Sequence, residues 1–393
     1  MESRQLTHEE AIKRAEYVGQ IAQAELFEAD RKGQYSTRLK DAIHETQLHR
    51  LLRPKRYGGH GLGHRTFSEV VRTVSQYSVS GGWLTYFMPL HENWVALLPP
   101  AGRDEIFGSD KFVADIFFPI GTVTYVDGGV RLSGQWNWGS GIDFCEWIGL
   151  GAIVDVPGAG GPQPCLVTIK VNEGRIIENW DTFGLRGSGS KGIAVTDVFV
   201  PWHRVLPVGA AKKNNTPIGG EYDPAEPVYR VPFMPAFTLG FGAISLGGMQ
   251  RLQKELHTRI RSRQRILLGG HEWESPVAQR NLGEVVTQIE QAEALHERYI
   301  QQLEAWCVEG KTECSPLEES RLGAWRSAVA RTGSQIGFRA LELLGGAATY
   351  KGDIVEVFAR DLLMVSLQVG QLYEDHMMFY GRTQFGLSGH PLA

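Results

Sequence analysis

The chain has few cysteines and no long apolar run. Four cysteines, Cys145, Cys165, Cys307 and Cys314, occur in 393 residues. They form no CxxC pair and no cluster with histidines at metal-ligand spacing. We therefore expect free thiols, a reducing cytoplasmic location and no metal site. No stretch approaches the ~18–20 apolar residues that a membrane span needs, and the N-terminal residues lack the apolar segment of a secretory signal.

An excess of charge of either sign is also missing. Lys and Arg total 40 against 44 Asp and Glu, which gives a formal net charge of −4. The basic residues are scattered along the chain, so nothing indicates a nucleic-acid or anionic membrane partner. A nicotinamide-binding fingerprint is absent too, because Gly187-Ser188-Gly189-Ser190 precedes a strand-like run instead of a helix.

Helical patterns occupy both ends of the chain. Thr7-x-x-Glu10 is a capping box, which predicts a first helix that runs to about Asp30. Further helices are predicted over residues 36–51, from Thr66 onward, and from Gly81 to a stop at Pro99-Pro100. After residue 236 the periodicity predicts four long helices, over residues 244–265, 276–308, 316–344 and 354–380. Four such helices are typical of a bundle.

The middle of the chain has the alternation of β-strands. Runs at residues 123–126, 130–138, 147–154, 165–171 and 193–200 are separated by glycine-rich turns, which predicts a small antiparallel barrel or sandwich. Residues 209–235 are rich in Pro, Gly and Asn and predict a connector that is either functional or a linker. We therefore expect an α+β protein with a helical domain (1–110), a β domain (111–208), this connector and a four-helix bundle (236–393).

One stretch inside the β domain, residues 131–147, has an unusual combination of residue types. Bulky Trp136 and Trp138 are followed by Gly139-Ser140-Gly141. The glycines let the backbone approach a ligand closely, and the serine adds a hydroxyl beside an aromatic wall. This arrangement suits a large planar ring such as a flavin. The alternative is a hairpin corner with two core tryptophans.

A series of motifs extends over essentially the whole chain: Leu52-Arg53-Pro54 with Tyr57-Gly58-Gly59, Gly82-Trp83 with His91, Trp136 with Ser140-Gly141, residues 180–191, residues 198–201 with Arg204, and Arg360-Asp361. In order and spacing this series resembles the acyl-CoA dehydrogenase superfamily, and within it the oxygenase components of two-component flavin-dependent monooxygenases. That group includes 4-hydroxyphenylacetate and steroid-phenol hydroxylases, indole hydroxylases and amino-sugar N-oxygenases.

The resemblance implies a homotetramer that takes reduced FAD or FMN from a separate NAD(P)H-dependent reductase. Its flavin ring would face Trp138, Gly139, Ser140 and Gly141, and its tail would extend toward a neighbouring protomer. Arg261 and Arg263 would contact the phosphates, and Gly345-Gly346 would lie beneath a neighbour's cofactor. Solvated helix charges and a simple helix end are the respective alternatives for these residues.

The resemblance also implies how the reaction is catalysed. Ser140 would stabilise a flavin C4a-hydroperoxide, and Trp83 and His91 would line the substrate pocket from one helix. Phe117 and Phe118 would form an aromatic slot. Each of these residues has a structural alternative: a turn serine, a satisfied core histidine or core phenylalanines.

Gln368 is the informative departure from the family pattern. Phenol hydroxylases of the family carry a histidine at this position, and glutamine cannot act as a base at neutral pH. We therefore expect hydroxylation of an aromatic, indole-type substrate, with Gln368 and His91 orienting it, unless Gln368 only packs in the bundle. N-oxygenation of an amine such as an amino sugar is an alternative. An acyl-CoA dehydrogenase is disfavoured, because Val369 and Gly370 stand where many dehydrogenases carry a catalytic Glu.

Overall fold

The computed structural model describes residues 6–265 and 269–389. Its α-helices are α1 (His8–Lys32), α2 (Thr37–Glu45), α3 (His64–Ser75), α4 (Val79–Val95), α5 (Pro100–Ser109), α6 (Val208–Asn214), α7 (Phe233–Thr238), α8 (Gly240–Ser262), α9 (Pro276–Glu309), α10 (Pro316–Leu344), α11 (Ile354–Leu367) and α12 (Tyr373–Gln384). Its strands are β1 (Phe112–Val126), β2 (Gly129–Gly139), β3 (Cys145–Asp155), β4 (Pro162–Lys170), β5 (Arg175–Ile177), β6 (Lys191–Pro201) and β7 (Val205–Pro207).

The strands form one seven-stranded sheet in the order β5-β6-β2-β1-β3-β4-β7. The first part of β1 pairs with β3, and residues 122–126 pair with β2. The β1–β3 pair is parallel, which differs from the purely antiparallel pairing that the sequence predicted. The reason is the order of the chain: β2 folds back from the end of β1, so β3 again runs in the direction of β1.

Strand β1 separates two hydrophobic cores. Ala114 and Ile116 lie in the core of the β region, whereas Val113 and Phe117 pack with the helices. Because successive strand residues point to opposite faces, β1 has one face for each core. The helical core contains residues from both ends of the chain, from Leu6 to Val365. The four-part division expected from the sequence remains a prediction.

The N-terminal helices follow the sequence prediction closely, with one correction. The capping box at Thr7 and Glu10 is formed, and α1 extends to Lys32. Helix α4 ends at Val95, before the proline pair, and Pro100 occupies the first turn of α5 instead of ending a helix. A proline in the first turn costs no hydrogen bond, so the same residue type can stop or start a helix.

The last predicted helix, over residues 354–380, is interrupted in the structure. Helix α11 ends at Leu367, a short turn follows, and α12 begins at Tyr373. The buried Arg326 of α10 holds this turn, since its guanidinium donates to the Gly370 carbonyl at 2.6 Å and to Gln371 Oε1 at 3.2 Å. Tertiary contacts from α10 therefore stabilise a break that the apolar pattern does not show.

The Arg360-Asp361 motif joins distant parts of the fold. The Asp361 carboxylate accepts hydrogen bonds from the Leu185 amide at 2.7 Å and the Ser80 hydroxyl at 2.8 Å. Arg360 forms an ion pair with Asp30 on α1. The motif thus fixes the loop before β6 against α1, α4 and α11.

The predicted connector, residues 209–235, contains most of α6, a short 3-10 turn (Pro227–Tyr229) and the start of α7. Asn215 is fully buried, and its amide donates to the carbonyls of Val228 and Val231 at 2.7 and 2.8 Å. This side chain ties the two ends of the segment together. Among the described helices, none has the length and apolar character that crossing a bilayer requires.

Candidate functional site

The corner after β2, residues 138–141, differs from the predicted wall of two tryptophans. Trp136 is fully buried and donates to the Gly151 carbonyl at 3.0 Å. Trp138 is 60% exposed and has a positive φ of 76°. The β2–β6 register shifts between Trp136 and Gly139, so the two rings no longer share a surface. Trp138 instead lies edge-to-face with exposed Phe118, at 6.5 Å between ring centroids.

Ser140 lies beneath this corner in a chain of hydroxyl groups. The Trp83 indole N–H donates to Ser140 Oγ at 2.9 Å. Ser140 Oγ lies 3.0 Å from Ser190 Oγ, which lies 2.8 Å from Ser188 Oγ. Because Ser140 accepts from the indole, its own hydrogen is available to Ser190 or to a ligand. Ser190 was not identified from the sequence.

A stripe of rings runs from Ser140 along α4. Trp83, Phe87 and His91 are spaced four residues apart and therefore share one helix face. Their successive ring centroids lie 4.9 and 5.3 Å apart. Phe241 of α8 contacts Trp83 at 5.6 Å. The structure thus brings Trp83 and His91 to one surface, as the resemblance implied, and adds Phe87 and Phe241 to it.

His91 is buried at the far end of the stripe. Its Nδ1–H donates to the Val113 carbonyl at 2.5 Å, in the tautomer that this acceptor requires. Its Nε2 lies 3.3 Å from Asp115 Oδ2, without the alignment of a full hydrogen bond. Burial lowers the pKa of His91 to about 4, so the imidazole is neutral at physiological pH.

Asp115 is a further residue near the site that was not identified from the sequence. Its Oδ2 accepts from the Trp94 indole N–H at 3.0 Å, and burial raises the pKa of its carboxyl to about 8. The signal was present in the sequence, since Asp115 is the one acidic residue in the apolar run from Phe112 to Phe118. A carboxyl group in such a run is costly to bury and invites a functional explanation.

Phe117 and Phe118 do not form a common slot, which corrects the sequence prediction. Phe117 packs on Phe237 of α7 at 5.1 Å between ring centroids. Phe118 is 50% exposed beside Trp138. Neighbouring strand residues point to opposite faces, so Phe117 lies on the side of Asp115 and the helices, and Phe118 on the side of the corner.

Gln368 lies at the break between α11 and α12. Its side-chain oxygen accepts from the Gly370 amide at 2.6 Å, so this half of the group caps the turn. The neighbouring positions carry no carboxylate: Val369 is exposed, and Gly370 has no side chain. In the described chain, no hydrogen bond or ring contact joins Gln368 to His91 or Ser140.

The residues predicted for the flavin phosphates form a second group, at the end of α10. Arg263 donates to the Leu344 carbonyl at 3.1 Å, next to Gly345 with its positive φ of 66°. Arg261 is exposed and lies over the Trp273 ring at 5.3 Å. Gly346 has open space around its α-carbon. Within the described ranges, no hydrogen bond or ring contact links this group to the Ser140 corner.

Three potential metal ligands also meet, although the sequence spacing indicated none. His44, His49 and Asp110 bring their ligand atoms within 4.8 Å of one another. The Asp110 carboxylate is already paired with the guanidinium groups of Arg50 and Arg53. Two fixed positive charges at the same carboxylate oppose a metal cation, so we interpret this cluster as structural.

Known proteins resemble this chain over most of its length. Residues 239–369 match the family model "Acyl-CoA dehydrogenase, C-terminal domain". The oxygenase subunit HsaA of a flavin-dependent monooxygenase from Rhodococcus jostii is 30% identical over 354 residues, which is 88% of this chain and 90% of HsaA. The chain belongs to the oxygenase components of two-component flavin-dependent monooxygenases. It is therefore an enzyme that uses reduced flavin and O2.

The chain is also similar to other flavin-dependent enzymes in sequence and in fold. The indole-3-acetate monooxygenase of Pseudomonas putida is 31% identical to this chain, in an alignment that covers 57% of this chain and 55% of the monooxygenase. The fold matches XiaF from a Streptomyces species, solved with FADH2 and glycerol, with a TM-score of 0.89, 23% identity and coverage of 97% and 96%. It also matches indole-bound TdsC from a Paenibacillus species, with a TM-score of 0.79, 18% identity and coverage of 96% and 97%.

The family membership has two further consequences. As an oxygenase component, the protein works with a separate flavin reductase and acts on an aromatic substrate. The fold expected from the sequence, an acyl-CoA dehydrogenase-like arrangement of helices, a β region and C-terminal helices, is confirmed.

Proposed function

We propose that this oxygenase hydroxylates an aromatic substrate of indole type in the space between the Ser140 corner and the α4 stripe. The observation that carries the proposal is the hydrogen bond from Trp83 to Ser140. It connects a hydroxyl that can serve a flavin to the helix face formed by Trp83, Phe87 and His91. An oxygen-transferring group and an aromatic substrate would therefore meet at one end of the stripe.

The corner fits a flavin by its chemistry. The exposed ring of Trp138 offers a flat surface close to the buried Ser140 hydroxyl. Reduced flavin, when bound, activates O2 and supplies one oxygen atom to the substrate. Ser140 would donate its hydrogen to the bound group. Since Ser140 and Trp83 are buried, they would also keep water away from the reaction.

The second group would serve the phosphate end of the cofactor. Arg261 and Arg263 present guanidinium groups that suit phosphate oxygens, and Gly345 and Gly346 leave room for an approaching chain. We propose that the cofactor is shared between protomers of a homotetramer, as the resemblance in sequence implies. Gel filtration with light scattering tests this part: we expect four chains per particle, and a monomer would contradict a shared site.

The aromatic residues favour a flat, apolar substrate. Phe87, Phe117 and Phe241 would surround it, and neutral His91 would border its polar edge. The Gln368 side-chain oxygen accepts from the Gly370 amide. The side-chain NH2 group of Gln368 would therefore be the part that orients the substrate. Indole-type chemistry is supported by a relative that acts on indole-3-acetate and by a structural neighbour with bound indole.

The experiment that tests the proposal supplies reduced FAD or FMN and air to the purified protein. Hydroxylated product and H2O2 are measured with indole and, in parallel, with 4-hydroxyphenylacetate. We expect indole to yield product with less H2O2 per flavin oxidised. Faster and better coupled turnover of the phenol would contradict an indole-type substrate, and no product from any aromatic would contradict the function.

A further inference from the structure

Asp115 has the burial and the neighbours that are typical of a functional residue, although no sequence motif includes it. It lies on the face of β1 that packs against α4, two residues after Val113 and two before Phe117. Its side chain is 8% exposed, and a carboxyl group at this depth is costly unless its oxygens have partners. The contacts of the carboxyl group account for one oxygen only.

Oδ2 is the oxygen with partners in the protein. The Trp94 indole donates to it at 3.0 Å, and His91 Nε2 lies 3.3 Å away. Because His91 gives its Nδ1 hydrogen to the Val113 carbonyl, Nε2 carries a lone pair. A carboxyl proton between Oδ2 and Nε2 makes that contact attractive, which agrees with the raised pKa of Asp115 and the lowered pKa of His91.

Oδ1 is the oxygen without a partner. In the described part of the chain it accepts no hydrogen bond, and it is not fully enclosed by protein atoms. The small exposed fraction of the side chain is therefore available at Oδ1. With the proton on Oδ2, Oδ1 is a carbonyl oxygen; without it, Oδ1 is a carboxylate oxygen. In both states it only accepts hydrogen bonds.

The separation of Asp115 from Ser140 follows from their contacts with α4. Trp83, which contacts Ser140, and His91, which contacts Asp115, are eight residues apart on α4, or about 12 Å along the helix axis. The side chains between them are apolar rings. A bicyclic aromatic molecule is shorter than this span, so it could lie along the stripe with one edge at the corner and the other at Asp115.

We propose that Asp115 Oδ1 accepts a hydrogen bond from an N–H or O–H group on the edge of the substrate remote from the oxygenated carbon. The inference rests on the function proposed above and narrows its substrate class to aromatic molecules that carry such a donor. An isosteric molecule without the donor leaves a buried acceptor unpaired, which is the strongest basis for discrimination that a binding site has.

The test compares matched ligands on the protein loaded with reduced flavin under anaerobic conditions. Dissociation constants are measured by calorimetry for indole and benzothiophene, and for 2-naphthol and naphthalene. We expect the donor-bearing member of at least one pair to bind about tenfold more tightly. Equal binding within both pairs, or no binding of any of the four, would overturn the inference.

Variants identify the residue responsible. In Asp115→Asn the Trp94 indole holds the amide oxygen in the position of Oδ2, so the NH2 group takes the place of the acceptor Oδ1. The preference for the donor-bearing ligand should then fall to about threefold or less. Asp115→Ala removes the acceptor altogether and should act alike. Asp155→Asn, an exposed carboxyl at the end of β3, is the control and should leave the preference unchanged. A preference that survives in a folded Asp115 variant, checked by thermal unfolding, contradicts the inference.

The outcome is separable from that of the proposed function. After admission of air, product formation from any of the four ligands reports the oxygenase reaction by itself. Product without a donor preference would refute only the role of Asp115. A donor preference that depends on Asp115, without product, would refute only the oxygenation proposed for this site.

Discussion

Gly141 combines a left-handed backbone with little free space beside its α-carbon. Its φ is +64°, and a β-carbon there would lie 2.8 Å from Leu84 and 2.9 Å from Met88 of α4. We predict that Gly141→Ala lowers the free energy of unfolding by about 3 kcal/mol, from left-handed backbone strain and overlap together. Because the ends of the Leu84 and Met88 side chains must move to admit the new methyl group, the packing of α4 beside the corner changes, and the variant should also release more H2O2 per reduced flavin.

Gly158 provides the matched control for that substitution. It has a similar φ of +79° but open space where a β-carbon would be. Gly158→Ala should therefore show the backbone strain alone, about 1–2 kcal/mol, and unchanged H2O2 release. Urea unfolding and peroxide assays of both variants measure the difference. Equal effects of the two substitutions would contradict a tight fit between the corner and α4.

Sequence motifs and spacing were sufficient to identify some of the residues near the site, but not others. Ser140, Trp83 and His91 could be named from the sequence because a motif places them, and the structure brings Trp83 to Ser140 and His91 to the same helix face. Asp115 and Ser190 were missed because only tertiary packing gives them partners. Their roles in the reaction remain predictions.

The break between α11 and α12 is held by the Arg326 side chain together with local contacts. Arg326 is buried and donates to Gln371 Oε1, which accepts no other hydrogen bond in the described chain, and to the Gly370 carbonyl, which also accepts from Gln371 and His376. We predict that Arg326→Met lowers the free energy of unfolding by about 2 kcal/mol, since the buried Gln371 oxygen loses its donor. Urea unfolding measures the change.

Arg331, on the same helix, is the control for that measurement. Its ion pair with Glu374 is exposed, so Arg331→Met should change the stability by less than about 1 kcal/mol. If both variants were equally stable, the break would have to be held by local sequence and not by α10.

The elements show where sequence reasoning has its limit. A capping box located the start of α1, and periodicity located α9 and α10 to within a few residues, because these signals are local. The break at residues 368–372 and the parallel β1–β3 pair were not predicted. Both depend on contacts between segments far apart in the sequence, which periodicity does not report.

The whole molecule carries two sets of buried titratable groups with opposite pH dependence. Burial lowers the pKa of His49, His64, His91 and His296 to about 4. The unfolded chain binds protons on these groups near pH 6.5, so the stability they contribute is present above that pH and is lost as the pH falls toward 4.

The buried carboxyls act in the other direction. Burial raises the pKa of Asp115 to about 8 and of Asp361 to about 7. Their contribution is complete below the unfolded pKa near 4 and is lost as the pH rises through 7 to 8. Calorimetric scans from pH 4 to 9 should therefore show the highest Tm near neutral pH. A Tm that rises steadily to pH 9, or stays constant down to pH 4.5, would contradict this balance.

A pair of histidine variants isolates the acid side of that profile. His64→Leu removes one buried histidine and should make the loss of Tm below pH 6 less steep. His257→Leu, an exposed position on α8, should leave the slope unchanged. The same slope in both variants would mean that buried histidines do not set the acid stability.

The central claim is that a serine held by Trp83 serves the flavin beside an aromatic space. The most direct measurement is the H2O2 released per reduced flavin oxidised, with indole present, in wild-type protein and Ser140→Ala. We predict that the fraction of flavin lost as H2O2 rises sharply and that product falls about tenfold or more. Ser190→Ala, which keeps the Trp83–Ser140 bond, should retain most of the coupling. Identical H2O2 release and product in Ser140→Ala and the wild type would contradict the account.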